Sequence, residues 1–223
     1  MRTAAILPVK SFARAKQRLG ASIADPLRHE LARAMVADVL RALAQSSAID
    51  RTIVVTQEPA VAQAALAQGA TVVEDVLEQG QSAAVLLGVQ CALADGVERV
   101  LCIPGDCPAL DPRELDALLE VTGAQVVIVP DRHGRGTNGL LLTPPDAIEP
   151  SFGPDSCERH RALAAAAGVS CRLERPASLL LDIDTGADLA ALRERLRAEP
   201  APAASTRAVL GPPAQELSRS DAA

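Results

Sequence analysis

The sequence predicts a single α/β domain, a mostly parallel sheet flanked by helices, on three observations. Strand-like and helix-like segments alternate from residue 4 to about residue 130, the pattern of βαβ crossovers. The strand segments are short apolar runs, as expected of strands covered on both faces. Hydrophobic residues make up 48% of the chain and aromatics only 1%, so Leu, Val, Ile and Ala must build the core. A length of 223 residues suits one domain with a sizeable core.

The elements follow in order. Ala4 to Leu7 is a buried first strand, and the loop LPVKSFARAKQRL leads out of it. Asp25-Pro26 offers an N-cap and an N1 proline. Leu27, Leu31, Met35, Val39 and Leu43 then mark one face of a helix. Thr52 to Thr56 is a strand, Pro59 to Gln68 an Ala-rich helix ended by Gly69, and Thr71 to Val73 a short strand. Ser82 to Ala94 is helical and stops near Gly96, and Arg99 to Ile103 is the next strand. Asp111-Pro112-Arg113-Glu114 reads as a capping box opening a helix. Val126 to Val129 is a further strand, and a Gly-rich loop, DRHGRGTNG, precedes a strand at Leu140 to Leu142. A proline-rich stretch leads to a helix from Ser156 to Ala167, and Leu179 to Ile183 reads as a strand. Thr185 to Asp188 caps a last helix, Leu189 to Arg197. Residues 198–223, rich in Ala, Pro and Ser and without periodicity, are expected to be a disordered tail to a domain spanning 1–197.

A net charge of -6 argues against nucleic acid or an acidic membrane surface as partner, and scarce aromatics argue against base-stacking platforms. No apolar run approaches a membrane span, and no signal peptide is expected before the first strand. Five cysteines without CxxC or zinc spacing fit reduced thiols in the cytoplasm. Cys107 is expected to be a small packing residue.

Both lysines, Lys10 and Lys16, lie in the first loop, while every other basic residue except histidine is arginine. A compact ammonium kept in an Arg-rich chain, at the C-terminal end of the first strand, points to a bound phosphate. Two acidic signals accompany it. Asp106, in Gly-Asp-Cys-Pro after a central strand, reads equally as a turn aspartate or as a holder of Mg²⁺ on a nucleotide phosphate. Asp182 and Asp184 stand two apart in a strand-like segment, so both carboxylates can face one metal. Capping accounts for Thr185 and Asp188 but not for Asp182. A third constellation is Phe152-Gly153-Pro154-Asp155-Ser156, where Asp155 and Glu158 can form a capping box or the helix N-terminus can receive a small anionic substrate. The Gly-rich loop lacks the Lys-Ser/Thr of a Walker motif. His133 and His160 are expected on exposed surfaces and carry no assignment.

Together, LPVKSFARAKQRL, IPGDCPAL, DRHGRGTNGLLL, PSFGPDSCERHRALA and LDIDTGADL resemble the phospho-carboxylate guanylyltransferases of coenzyme F-420 biosynthesis. The matching segments run from residue 5 to about 195, with GTN and FGPDS-xRH the specific part. The resemblance implies a Rossmann-like nucleotidyltransferase sheet, akin to GT-A folds, and joining of GMP from GTP to a small phosphorylated acid with pyrophosphate release. It implies Mg²⁺ on Asp106, Asp182 and Asp184, and phospho-acid contacts at Thr137, Gly153 and Ser156. It places Lys10 and Lys16 against the GTP phosphates, and implies a product handed to a downstream transferase. Where the family commonly has Gly-Leu-Asn, with Asn helping to hold the nucleotide, this chain has Gly80-Gln81-Ser82, so Ser82 takes that position with a hydroxyl alone. Phosphoenolpyruvate is the favoured acid, given an Ala- and Arg-rich composition of high-GC bacterial type, ahead of 2-phospho-L-lactate and 3-phospho-D-glycerate. Molybdenum cofactor guanylyltransferases share the first loop and the late acidic segment, but a pterin needs a wider cleft. A nucleotide-binding module without turnover is the third reading.

Overall fold

The computed structural model describes residues 1–12, 19, 24–198 and 202–211. Among them are seven strands: β1 (Thr3–Val9), β2 (Arg51–Thr56), β3 (Thr71–Val73), β4 (Arg99–Cys102), β5 (Val126–Pro130), β6 (Thr137–Leu142) and β7 (Cys171–Leu173). They make one sheet in the order β3-β2-β1-β4-β6-β5-β7. β6 runs antiparallel to both β4 and β5, and the other pairs are parallel. The expected mostly parallel sheet is therefore present.

Alternation within the strands divides the core between the two faces. Ala5, Leu7, Val54, Leu101, Val127 and Leu141 pack under α1 (Asp25–Gln45), α2 (Pro59–Ala67) and α4 (Pro112–Leu119). Ala4, Ile6, Ile53, Val55, Val100, Ile128 and Leu140 pack under α3 (Gln81–Ala94) and α5 (Ser156–Ala166). Both faces are apolar, which is why the strands read as unbroken hydrophobic runs. With so few aromatics, the second layer relies on close approach. A Cβ on Gly88 of α3 would stand 2.5 Å from Cγ2 of Ile6. A third cluster, with Leu31, Met35, Ile183, Leu189 and Leu192, seats α6 (Gly186–Ala198) against α1.

Several local expectations are corrected. Leu179 to Ile183 is not a strand: Ala177–Leu179 is a 3-10 turn, and the following segment joins no ladder. Its apolar residues are buried by packing, Leu179 under the sheet and Ile183 against α6, rather than by pairing. The sheet edge is instead β7, whose three residues are exposed and so carry no apolar signature. Asp25 does not cap α1; Ala24 holds the N-cap position without a side-chain bond. Of the expected α1 face, Leu31, Met35, Val39 and Leu43 are buried, and Leu27 only half so. The Asp111 box is half formed. Asp111 accepts from the Arg113 amide, whereas Glu114 turns away to accept from the Ser178 amide at 2.7 Å. Asp155 caps nothing with its side chain; its backbone is left-handed (φ +57°) and its carboxylate pairs with Arg135.

The expected unstructured tail also fails in part. Ala204–Leu210 forms α7, which packs along α1. Its first turn is held by Asp38 of α1, whose carboxylate accepts from the Ser205 and Thr206 amides at 2.9 and 2.7 Å. Among the described residues no helix is long and apolar enough to cross a membrane.

Candidate active site

The chain runs from β1 outward through β2 to β3, then crosses back to place β4 on the other side of β1. At such a switch point the loops leaving the two strands diverge and open a crevice at their C-terminal ends. A cleft of about 310 Å³ lies there. Pro8, Val9 and Lys10 line it from the end of β1, Gly105 and Asp106 from the end of β4, and Asp75 from beyond β3. Gln81 and Ala84 close it at the start of α3, and Asp184 enters from the late segment.

The late acidic segment reaches this cleft through one backbone bond: the Ile183 amide donates to the Asp106 carbonyl at 3.1 Å. The two carboxylates on either side of Ile183 then have different surroundings. Asp184 lines the cleft, and its backbone amide donates to Asp188 Oδ2. Asp182 accepts from Asn138 Nδ2 at 3.1 Å, an amide that also donates to the Leu179 carbonyl. Burial, and the nearby Asp106 and Asp184 charges, push the Asp182 carboxyl up against the pull of Asn138. Asp188 behaves as the capping partner expected. It accepts from the Thr185 amide and hydroxyl, both at 2.7 Å, and pairs with Arg132. Burial would raise its pKa, but the Thr185 bonds and the Arg132 charge outweigh it and hold the carboxyl below the usual range.

Lys10 is exposed at the mouth of the cleft. Lys16 lies outside the described residues. At the start of the first loop the Ser11 amide donates to Glu78 and the Phe12 amide to Glu58. Ser82 does not face the cleft. Its hydroxyl accepts from the Phe152 amide at 2.8 Å, tying α3 to the 151–155 loop, and its neighbour Gln81 lines the cleft instead.

The two motifs GTN and FGPDS meet at the start of β6 and the start of α5. Ser156 donates its hydroxyl to Thr137 Oγ1 at 3.0 Å. The Ser156 amide donates to the Gly153 carbonyl and the Cys157 amide to the Arg135 carbonyl, so the first two amides of this helix already have backbone partners. Gly153 sits exposed at φ +113°, a conformation that L side chains rarely adopt. Arg159 stitches the loop from beneath, donating to the Ser151 hydroxyl and the Pro154 and Phe152 carbonyls.

His160, expected on the surface, is fully buried. Its Nδ1 lies 3.1 Å from Thr137 Oγ1, its Nε2 accepts from the Ser151 amide, and its ring meets Phe152 edge-on. Sequence reading missed it because Ala- and Arg-rich α5 shows little amphipathic contrast around it. Asn138 was missed as well; its signal was alternation, since it faces opposite to Thr137 on β6. Cys107 is a packing residue as expected, buried with its thiol toward the Leu179 carbonyl.

A family model described as "Guanylyl transferase CofC like" matches residues 3–193. A phosphoenolpyruvate guanylyltransferase of Conexibacter woesei is 49% identical over 213 residues, covering 94% of this chain and 96% of its own. A 3-phospho-D-glycerate guanylyltransferase of Phenylobacterium zucineum is 37% identical, covering 82% and 86%. Among solved structures, a putative nucleotide-diphospho-sugar transferase from Desulfovibrio desulfuricans superposes with a TM-score of 0.74 at 20% identity, covering 94% of each chain. A nucleotidyl transferase from Methanothermobacter thermautotroptrophicus gives 0.62 at 22%, covering 89% and 99%. A family match over nearly the whole domain, on a nucleotidyltransferase fold, places this chain in the CofC-like guanylyl transferase family.

Proposed function

We propose that this protein transfers GMP from GTP to phosphoenolpyruvate and releases pyrophosphate, as a step of coenzyme F-420 biosynthesis. The observation that carries the reading is the cleft itself. Among the described residues lining it, three carboxylates, Asp75, Asp106 and Asp184, face one cation, Lys10. Hard carboxylate oxygens beside a lysine suit a triphosphate that arrives with a divalent cation.

The donor set fits magnesium, since it is all hard oxygen. No three His, Cys, Asp or Glu side chains among the described residues are grouped as one complete metal cage. Magnesium needs none, because it takes one or two carboxylates and fills its shell with water and phosphate. Asp106 and Asp184 would hold it from the cleft wall, with Asp182 behind them adding charge. When bound, the ion would neutralise the phosphate oxygens of both substrates and allow two polyanions to approach.

The chain's own residues do the rest. A phosphate oxygen of the acid attacks the α-phosphorus, a new P–O bond forms, and the bond to the bridging oxygen of pyrophosphate breaks. The nucleophile is already ionised near neutral pH, so no general base is required, and alignment with charge neutralisation carries the rate. Lys10, together with Lys16 from the first loop, stabilises the leaving pyrophosphate. Gln81, at the start of α3, meets the nucleotide in place of Ser82. Thr137 and the Gly153 backbone hold the small acid, with Ser156 acting through Thr137. Phosphoenolpyruvate is favoured over 3-phospho-D-glycerate by the relative at 49% identity, against 37% for the other.

Pyrophosphate release from GTP with magnesium, each acid offered separately and the downstream transferase added as a pull, tests this. Release with phosphoenolpyruvate alone is expected. Release with another acid only would change the substrate, and GTP binding without release under any acid would leave a nucleotide-binding module.

A further inference from the structure

We propose that His160 is a positioning residue that turns the Thr137 hydroxyl outward as a fixed hydrogen-bond donor to an anionic oxygen of the small acid. The proposal rests on the reading of Thr137 as part of the acid site and goes beyond it, since it assigns a role to a buried group that touches no substrate.

Proton counting around three side chains carries the argument. His160 Nε2 lies 2.9 Å from the Ser151 amide, which can only donate, so Nε2 must be an unprotonated acceptor. A neutral ring then carries its proton on Nδ1. Nδ1 is 3.1 Å from Thr137 Oγ1, so there the ring donates and the threonine accepts. Ser156 Oγ lies 3.0 Å from the same oxygen, and the proposal takes that hydroxyl as the donor. Thr137 Oγ1 thus receives two hydrogen bonds, which occupy both of its lone pairs. Its own proton is excluded from both directions and has one staggered position left. Among the described residues, no acceptor is recorded for that proton, and Thr137 retains 7% exposure, beside the exposed Gly153 loop. A hydroxyl with its lone pairs filled and its proton outward is a donor only. It suits carboxylate or phosphate oxygen and is mismatched to a ligand donor at that point.

Burial supports the neutral ring. His160 is inaccessible, packed edge-on against Phe152, and its pKa is lowered to about 4 by burial and then by the Arg159 charge. An imidazolium would lose the Ser151 bond and free the ring from its single orientation. The neighbouring loop depends on the same contact, since Ser151 opens the 151–155 segment that carries Gly153. One buried ring therefore sets both the direction of the Thr137 proton and the seat of the glycine loop.

A double-mutant cycle read in KM tests it. His160→Gln keeps an acceptor near the Ser151 amide but puts no donor at the Nδ1 position. Thr137→Val removes the outward donor, and Thr137→Ser restores it. Thr137→Val is expected to raise KM for the acid about ten- to a hundredfold, the scale of a hydrogen bond to a charged oxygen, with KM for GTP little changed. Thr137→Ser should stay near wild type. His160→Gln should raise KM for the acid several-fold in the wild-type background and add nothing once Thr137 is Val. Equal effects of His160→Gln in both backgrounds would make His160 a merely structural support and overturn the proposal. No effect of His160→Gln, with Thr137→Val still damaging, would overturn the positioning role while the acid site stands. No effect of Thr137→Val would remove the acid-site reading and this proposal with it. Should His160→Gln fail to fold, imidazole ¹⁵N NMR of the wild-type protein decides. The proton is expected on Nδ1 at neutral pH, and a proton on Nε2 would overturn the argument.

Discussion

Burial, with the Arg159 charge adding to it, lowers the His160 pKa from 6.5 to about 4. The unfolded chain takes up this proton near pH 6.5 and the folded chain only near pH 4. Stability is therefore complete above about pH 6.5, declines as the pH falls through that window, and levels off below it. The full loss from this one group is about 3 kcal/mol. Urea denaturation of wild type and His160→Gln between pH 7 and 4 measures it, and wild type should show the steeper decline. Parallel slopes would mean that another group carries the acid sensitivity. The Asp182 carboxyl responds in the opposite direction. Burial and the Asp106 charge raise it, so its protonation favours the fold as the pH falls. Asp106→Asn should bring the Asp182 pKa back toward the ordinary range while lowering kcat by about two orders of magnitude or more, the scale of a major electrostatic group. Turnover near wild type would remove Asp106 from the metal site. Of the residues lining the cleft, Lys10, Asp106 and Asp184 were legible at this scale because they stand in short motifs, whereas Asp75 stands in none and was missed. His160, Gln81 and Asn138 were missed too, because a histidine, a glutamine or an asparagine acquires its meaning only from what it touches.

Among the elements, α3 comes close to the sheet at Gly88. Gly88→Ala would set a methyl 2.5 Å from the branched Cγ2 of Ile6, a side chain with little freedom to yield inside a strand. A loss of about 2 kcal/mol is expected despite the gain in helix propensity, measured as a shift of the urea midpoint at unchanged m-value. A neutral or stabilised variant would show that the helix can shift away. Most helices and six of the seven strands could be read from periodicity and apolar runs. The failures share one cause. β7 is recognised by its backbone pairing with β5, and its exposed side chains say nothing of it. The 179–183 segment shows the converse, apolar residues buried by helices without any ladder. Glu114 illustrates the same limit in a cap, since it spends its carboxylate on Ser178, 64 residues away.

For the whole molecule, α7 closes the chain back onto α1. Its N-cap residue, Ala203, offers no side chain to the helix start, and Asp38 supplies the carboxylate from α1 while pairing with Arg41 at 2.6 Å. Asp38→Ala should release this helix locally. Amide hydrogen exchange in 204–210 should speed up about tenfold or more, the scale of losing a helix cap, with the sheet unaffected. Unchanged exchange would mean that apolar packing alone holds α7. By itself, the sequence determined the α/β architecture and the succession of six of the strands along the chain, because hydrophobic periodicity is a local property of the chain. The tertiary structure alone decided which carboxylate faces the cleft and which faces Asn138, that Ser82 serves the 151–155 loop while Gln81 meets the cleft, that α7 is a helix, and that His160 is a buried ring with one defined tautomer. Each of these depends on a partner far away in sequence, and a hydrogen bond or a desolvated charge exists only once the fold has brought both groups together.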